Sequence, residues 1–465
     1  MKVTHVALRP TEASLAAGRP ALTPELMAAT GARYSRSNEG LEAILSRIDP
    51  QNLDKSVDGI FRMLDYGHAS IADMAPVSLF IDGVSLWLAY YVWTLCPTAG
   101  GQESSTRYIR LDEEGLVSPE ALGIPLSERD AWRQAMATAF ATYRTATVFW
   151  EKLVKADPDL ARIPRTLGED TSEKARKAVA RMRRNYAFDR ARYFLPAAAA
   201  TNLMLVMSAR AWVTLIQHLL SHPLPEAQAL GAACRDELGF SAPRLLKHAQ
   251  PQPSLVKGLQ REFEATRALA ETLSFAPTGE HAPTPFLETM EPRGGLTGTQ
   301  AADALSLHDN RYAYFGESLR RTAVRFGWEA VALAEIRDLN RHRTGTKYCP
   351  LAPVGFYFAT DELPPATDSS VAYQTLGAAG HRASEEAVQR LQSGDPAYVY
   401  YTLLGTQYPF EHTTTADKFL YEAELRTGTG AHYRYARHLS DVLSLWYDRY
   451  PETRGLVMEG SAEPE

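Results

Sequence analysis

Within residues 52–66 apolar side chains recur at Leu53, Val57, Ile60, Phe61 and Leu64, a helical spacing with Gly67 as its C-terminal stop. Residues 77–81 (Val-Ser-Leu-Phe-Ile) form an apolar run of strand length, and residues 1–8 read as an opening strand, not a secretory leader. Ser127, with Asp130 three positions on, has the form of a capping box. It should open a long helix that puts Trp132, Met136, Phe140 and Tyr143 on one face. Another helix is predicted over about 201–220, a stretch rich in Leu, Met, Val and Ala. Residues 275–300 are dense in Pro, Gly and Thr, which suits a crossing between domains or the first strand of a second unit. From Ala301 onward helical patterns resume. Leu319, Val324, Trp328, Val331, Leu333 and Ile336 lead into Arg341-His342-Arg343 much as residues 77–93 lead into residues 102–108. That order of parts is a faint internal repeat.

At 465 residues the chain exceeds one ordinary core and suits two domains, 1–270 and 271–465. Apolar residues at 45% and charged residues at 22% give the balance of a soluble globular protein, not a disordered one. A net charge of −6 supplies no global attraction to nucleic acid or an anionic membrane. The basic run at 174–184 reads as the solvated face of a helix. Residues 77–93, the most apolar stretch, are interrupted by Asp82 and are short for a membrane span. Cys96, Cys234 and Cys349 show neither metal-ligand spacing nor a pairing pattern, as expected in a reducing cytoplasm, and two of them abut prolines. All three read as structural.

Candidate chemistry sits in two short segments. Gln102-Glu103-Ser104-Ser105-Thr106-Arg107-Tyr108 places a carboxylate, hydroxyls, a guanidinium and a phenol on one loop. Arginine's planar fork grips phosphate, and hydroxyls with neighbouring backbone N–H groups add donors, so such a loop can hold a phosphorylated nucleotide. Arg341-His342-Arg343 places three potential cations on one segment. Alone, the first piece is equally well read as a solvated turn, and the second is better read as a solvated basic turn.

Together, and in their order, they resemble the flavin-dependent thymidylate synthases, whose motif RHR-x-x-S-x-N-E-x-S-x-R-Y joins both pieces. Gly67-His68-Ala69-Ser70, followed by Asp73-Met74, resembles the family's G-H-x-[ST]-x-x-E-H, with Asp73 for Glu and Met74 for the second His. Ala191-Arg192, followed by Leu195-Pro196, resembles A-R-x-x-L-P, and Ser208-Ala209-Arg210 resembles N-A-R. Ser221-His222 with Glu226 resembles the S-H-A-Q-x-E tract. Where the family has RHR the first half has Thr94-Leu95-Cys96, and at its L-R-A-D-S-H arginine it has His218 or Leu219. The second half supplies both: Arg337 to Arg343 resembles R-Q-x-x-R-H-R, with Asp338 for Gln, and Glu424-Leu425-Arg426-Thr427-Gly428 resembles N-L-R-A-D. Asp417 stands at the Arg of N-A-R, and Tyr408-Pro409-Phe410-Glu411-His412 imitates T-P-F-E-H but follows the Arg-His-Arg piece instead of preceding it.

The resemblance implies two fused α+β domains, each a small sheet flanked by long helices, with complementary losses and one composite site. It implies reductive methylation of dUMP at C5, with methylenetetrahydrofolate giving the carbon and tightly bound FAD, reduced by NADPH, giving the hydride. Glu103, Ser104, Ser105, Thr106, Arg107, Tyr108, Arg192 and Arg426 would then serve the nucleotide, with Glu103, Arg107 and Arg426 closest to the chemistry. His68, Ser70, Arg210, Arg341, His342 and Arg343 would hold FAD. A homodimer would stand in for the family's homotetramer. Another pyrimidine nucleotide as substrate, or a non-catalytic nucleotide-binding protein derived from a synthase, are the alternatives.

Overall fold

The computed structural model describes residues 1–38, 40–49, 51–62, 69–107, 109, 111–273, 275, 281–365, 368–428 and 431–460. The chain divides into two compact units, both built of helices and one small antiparallel sheet. The first comprises Met1–Ile109, Leu116–Ile124 and Ala199–Phe263; the second comprises Arg110–Gly115, Pro125–Ala198 and Glu264–Glu465. Relative to a division at 270, residues 125–198 change sides. Their long helix, Arg129–Ala156, points its indoles at the C-terminal part of the chain. Trp132 Nε1 donates to the Tyr400 carbonyl at 3.1 Å, and Trp150 Nε1 donates to the Tyr373 hydroxyl at 3.0 Å.

In the first unit, β1 (Lys2–His5), β2 (Pro76–Ser85), β3 (Gly100–Glu103) and β4 (Ala200–Ser208) are ordered β1-β2-β4-β3. The helix expected over 201–220 is a strand for its first half: Leu203, Leu205 and Met207 are buried between more exposed neighbours, a period of two. The helix Ala209–Ser221 follows directly, capped by Ser208, whose hydroxyl accepts from Ala211 N at 3.2 Å. The apolar stretch 77–93 divides likewise into β2 and the helix Leu86–Leu95. At their junction the buried Glu226 accepts from both Ser85 N (2.7 Å) and Ser85 Oγ (2.8 Å). The helical pattern at 52–66 gives Leu53–Phe61, capped by Asn52. Gly67 lies outside the described residues.

In the second unit, β5 (Pro285–Met290), β6 (Ala323–Ala332), β7 (Thr346–Tyr348), β8 (Gly355–Phe356) and β9 (Thr406–Thr415) build a sheet ordered β5-β6-β9-β7, with β8 also on β9. The Pro/Gly/Thr-rich segment thus leads into the first strand of a sheet. Residues 323–332, expected as helix, are a strand in which Val324, Phe326 and Trp328 share the buried face. The capping box at Ser127 does not form. Ser127 lies inside the 3-10 turn Leu126–Glu128, and Glu128, the N-cap, has φ −108° and ψ −11°, away from the extended backbone such a cap requires. The face predicted for this helix is correct, with Trp132, Met136 and Phe140 buried. The basic run at 174–184 lies along the helix Glu173–Ala191 with most of its cations exposed. Among the described residues, no helix is long and apolar enough to cross a membrane.

Each unit repeats the other's local devices. In the first, Ala209 N, opening the helix after β4, donates to the Ala75 carbonyl just ahead of β2 at 2.8 Å. In the second, Ala416 N, opening the helix Ala416–Arg426 after β9, donates to the Thr322 carbonyl just ahead of β6 at 2.8 Å. The central pair carries a register shift in both, between Asp82 and Val84 and between Trp328 and Val331. Glycine permits close backbone approach at the short strand of each. A Cβ on Gly101 would lie 2.0 Å from the Met204 carbonyl oxygen, and one on Gly345 would lie 1.9 Å from that of Thr413.

Candidate functional site

In the first unit the loop leaves the sheet at the end of β3. Glu103 pairs with Leu203, and Ser104 N still reaches the Asn202 carbonyl at 2.9 Å. Beyond that point Arg107 N donates to Ser105 Oγ at 3.4 Å, Thr106 is buried, and Arg107 is half-buried. β3 therefore anchors one end of the loop through Glu103 and Ser104, and Ser105 through Arg107 continue past its last paired residue. Tyr108 lies outside the described residues, as does His68. Ser70 is exposed on the 3-10 turn Ala69–Met74. From the same turn Asp73 accepts from Arg210 NH1 at 2.9 Å and Ser208 Oγ at 3.2 Å. Met74 packs its sulfur against Gly31 of the helix Pro24–Tyr34, where a Cβ would come within 2.6 Å. His222 is a core residue: burial lowers its pKa to about 4, and it tilts against Trp87 and Tyr91.

The second unit gathers two groups of charged side chains around the helix Leu333–Leu339 and the turn after it. In one, the buried Arg192 donates to Asp338 Oδ2 at 3.1 Å and lies 3.8 Å from Glu335 Oε1, while Arg341 reaches Asp338 Oδ1 at 3.1 Å. Burial would raise the Asp338 pKa, but the two guanidiniums overcome it and hold the carboxyl well below its ordinary range. Glu335 is as deeply buried and less well compensated, so desolvation pushes its pKa up to about 7. In the other group, Arg426 Nε donates to His342 Nε2 at 2.6 Å, and the Lys347 ammonium bonds the His342 carbonyl. Burial, reinforced by Arg426, lowers the His342 pKa to about 4, so its ring is neutral. Glu422 faces both His342 and His412, and these partners outweigh burial and bring it to about 2. Arg343 is half-buried. Asp417 accepts from Thr415 Oγ1 at 2.5 Å in the first turn of its helix, where a negative charge meets the positive end of the helix dipole.

Residues 21–244 match the family model described as thymidylate synthase complementing protein. That match spans slightly less than half of the chain. The chain is 23% identical over 343 residues to a UPF0159 protein of Thermoplasma acidophilum, covering 70% of this chain and 67% of the relative. It is 22% identical over 230 residues to a flavin-dependent thymidylate synthase of Clostridium tetani, covering 49% of this chain and 83% of that one. A solved UMP/dUMP methylase, PolB from Streptomyces cacaoi, aligns with a TM-score of 0.30 at 16% identity, over 53% of this chain and 93% of the other.

Residues that the thymidylate synthase motifs single out are thus grouped by unit. Glu103, Ser104, Ser105, Thr106 and Arg107 share one loop, and Ser70 and Arg210 share the surroundings of Asp73, all in the first unit. Arg192, expected with the first half, lies in the second unit on Asp338 beside Arg341; His342 and Arg426 are in direct contact there. The motifs do not point to Glu335, Tyr193, Tyr357, Tyr433 or Lys347. One signal for Glu335 is available in the sequence: a carboxylate that directly follows an apolar run, three residues before Asp338.

Two features bear on whether these side chains suit FAD. The Arg341 side chain is 53% exposed although it touches Asp338, which leaves its fork open to a phosphate. Arg210 and Asp73 form a half-exposed pair that an anion can displace at little cost. His342 instead is turned inward, its Nε2 taken by Arg426. Within its own unit, each of these cations keeps an exposed face; the imidazole is placed to hold Arg426.

Proposed function

We propose that this protein is a flavin-dependent enzyme that reductively methylates a pyrimidine nucleotide, converting dUMP to dTMP with methylenetetrahydrofolate and NADPH. The observation that carries this reading is the family match over residues 21–244, which includes the Glu103–Arg107 loop at the end of β3. Sequence similarity to flavin-dependent thymidylate synthases of Clostridium tetani and a Mycobacterium species supports the flavin. When bound, FAD supplies the hydride. The chain's own groups bind and orient: Arg107 neutralises nucleotide phosphate or polarises the base, with Glu103 and Ser105 setting its angle. Ser70 and Arg210 in the first unit, and separately Arg341 and Arg343 in the second, are the groups available to the cofactor's phosphates, and within the second unit His342 fixes the plane of Arg426.

We further infer that the two units descend from one duplicated domain. Support comes from the matching strand orders, the paired bonds at Ala209 and Ala416, and the paired glycines at 101 and 345. On this reading each copy kept a different part of the motif, Glu-x-Ser-x-Arg-Tyr in one and Arg-His-Arg in the other.

The test is turnover: the full chain incubated with dUMP, methylenetetrahydrofolate, NADPH and FAD, with dTMP detected by mass. Product from the wild type and none from Arg107→Ala, which should still bind flavin, supports the reading. Loss of flavin in Arg107→Ala, or no product from a flavin-loaded wild type, overturns it.

A further inference from the structure

Three buried tyrosines connect the buried carboxyl of Glu335 to a carboxylate at the surface of the second unit. The Tyr193 hydroxyl donates to Glu335 Oε1 at 2.9 Å and lies 3.5 Å from the Tyr433 hydroxyl. Tyr433 and Tyr357 hydroxyls are 3.1 Å apart, and Tyr357 donates to Asp361 Oδ1 at 2.7 Å. Glu335 and all three phenols are essentially inaccessible, whereas 39% of the Asp361 side chain is exposed. The line crosses three separate parts of the chain, from the turn Arg192–Phe194 to the helix Tyr433–Arg449 and the segment after β8.

We propose that Tyr193, Tyr433 and Tyr357 form a proton path between Asp361 at the surface and Glu335, making Glu335 an acid–base group that can exchange protons beside the Arg192–Asp338–Arg341 cluster. One proton enters at Asp361, and each hydroxyl then breaks one O–H bond as it gains another. One proton arrives on a Glu335 oxygen, and no electrons move. Reversal delivers a proton outward.

Two further observations support this. Glu335 Oε2 is buried and has no hydrogen-bond partner, which disfavours the ionised carboxylate, while the relayed proton arrives on Oε1, the oxygen that the Tyr193 hydroxyl already bonds. Every phenol also has an arginine beside it. The Arg190 guanidinium sits 4.2 Å from the Tyr433 ring and that of Arg434 4.1 Å from the Tyr357 ring, while the charge of Arg192 acts on Tyr193. Burial keeps the phenols neutral at rest, and these cations reduce the cost of the transient negative charge that a hop creates. The charged and titratable groups around Glu335 are Arg192 and Tyr193 from the preceding turn, Asp338 on its own helix, and His432 and Arg434 from the C-terminal helix and its cap. Of these, Arg192, Arg434 and the Tyr193 hydrogen bond favour the ionised carboxylate, while burial and Asp338 favour the acid.

The path goes beyond the flavin reading and is testable without activity. A pH jump on the full chain, followed by time-resolved infrared absorption of carboxyl groups, reads proton arrival at Glu335; the band is assigned by its absence in Glu335→Gln. The expected result is proton arrival slowed tenfold or more in Tyr433→Phe, with the titration midpoint little changed. Asp361→Asn, altered at the exposed end, should slow it as well and serves if Tyr433→Phe does not fold. Unchanged rates in the folded variants, or a Glu335→Gln spectrum that lacks no titrating band, overturn the proposal.

Discussion

Glu335→Gln should remove a specific pH dependence of stability from the second unit. In the folded chain this carboxyl has its pKa raised by burial to about 7, against 4.5 for the unfolded reference. The folded state therefore holds a proton that the unfolded state has released. The associated stability is complete below the unfolded pKa and is lost as pH rises through the folded one. With about 1.36 kcal/mol for each pH unit separating the folded and unfolded titrations, raising pH from 5 to 8 should cost about 2.5 kcal/mol at this one site. Glutamine keeps the shape and the acceptor for the Tyr193 hydroxyl but cannot ionise. The assay is urea unfolding of wild type and Glu335→Gln at both pH values, read on the transition that carries the second unit, because two units need not unfold together. Wild type should lose stability between pH 5 and 8 by roughly 2–3 kcal/mol more than the variant. Parallel pH profiles would refute the reasoning, since they would mean that the carboxyl is already ionised at pH 5 or is reached by water.

Asp338→Asn removes the carboxylate that is hydrogen-bonded to the buried Arg192 and leaves it only the charges of Asp189 and of Glu335 at 3.8 Å; a broken buried pair costs about 3–5 kcal/mol, so the thermal midpoint should drop by several degrees. A drop near zero would show that Asp338 is not needed to neutralise Arg192. Gly101→Ala and Gly345→Ala should destabilise their respective units to a similar extent, by about 1–3 kcal/mol each as measured by urea unfolding, because a Cβ collides with a backbone carbonyl at either site. His342 and Glu422 both have depressed folded pKa values, about 4 and about 2. The stability they contribute is present above their unfolded values and lost as pH falls toward the folded ones, so circular dichroism should show unfolding on acidification below about pH 6. His342→Gln should flatten the upper part of that profile.

How much of this was legible in the sequence depends on the kind of signal. Apolar periodicity located the helices at 53–61 and 129–156 because one continuous stripe of large residues faces a core in each. It failed at 201–208 and 323–332, where strands run straight into helices with no turn between them: Ser208 marks the first boundary, but Ala332-Leu333 at the second carries no polar residue. In β4 the clue was there, alternate burial of Leu203, Leu205 and Met207, but Met204 and Val206 between them are also apolar. The domain assignment of 125–198 rested on partners far away in sequence, such as Tyr373 and Tyr400, which no local pattern reveals. Motif order singled out Arg192, Asp338, Arg341, His342 and Arg426, although not that Arg192 would be neutralised by Asp338 or that His342 would face inward. The Glu335–tyrosine line was invisible for the same reason as the domain assignment. Tyr193, Tyr357 and Tyr433 become neighbours only through the fold, and each alone looks like an ordinary core aromatic.

The central claim is that this chain binds a flavin and a pyrimidine nucleotide together. The most direct measurement is the visible absorbance of the purified full chain titrated with FAD, then with dUMP. The expected result is a single bound flavin for each chain, a spectrum that changes on adding dUMP, and weaker flavin binding in Arg341→Ala. A folded chain that binds no flavin under these conditions would contradict the claim.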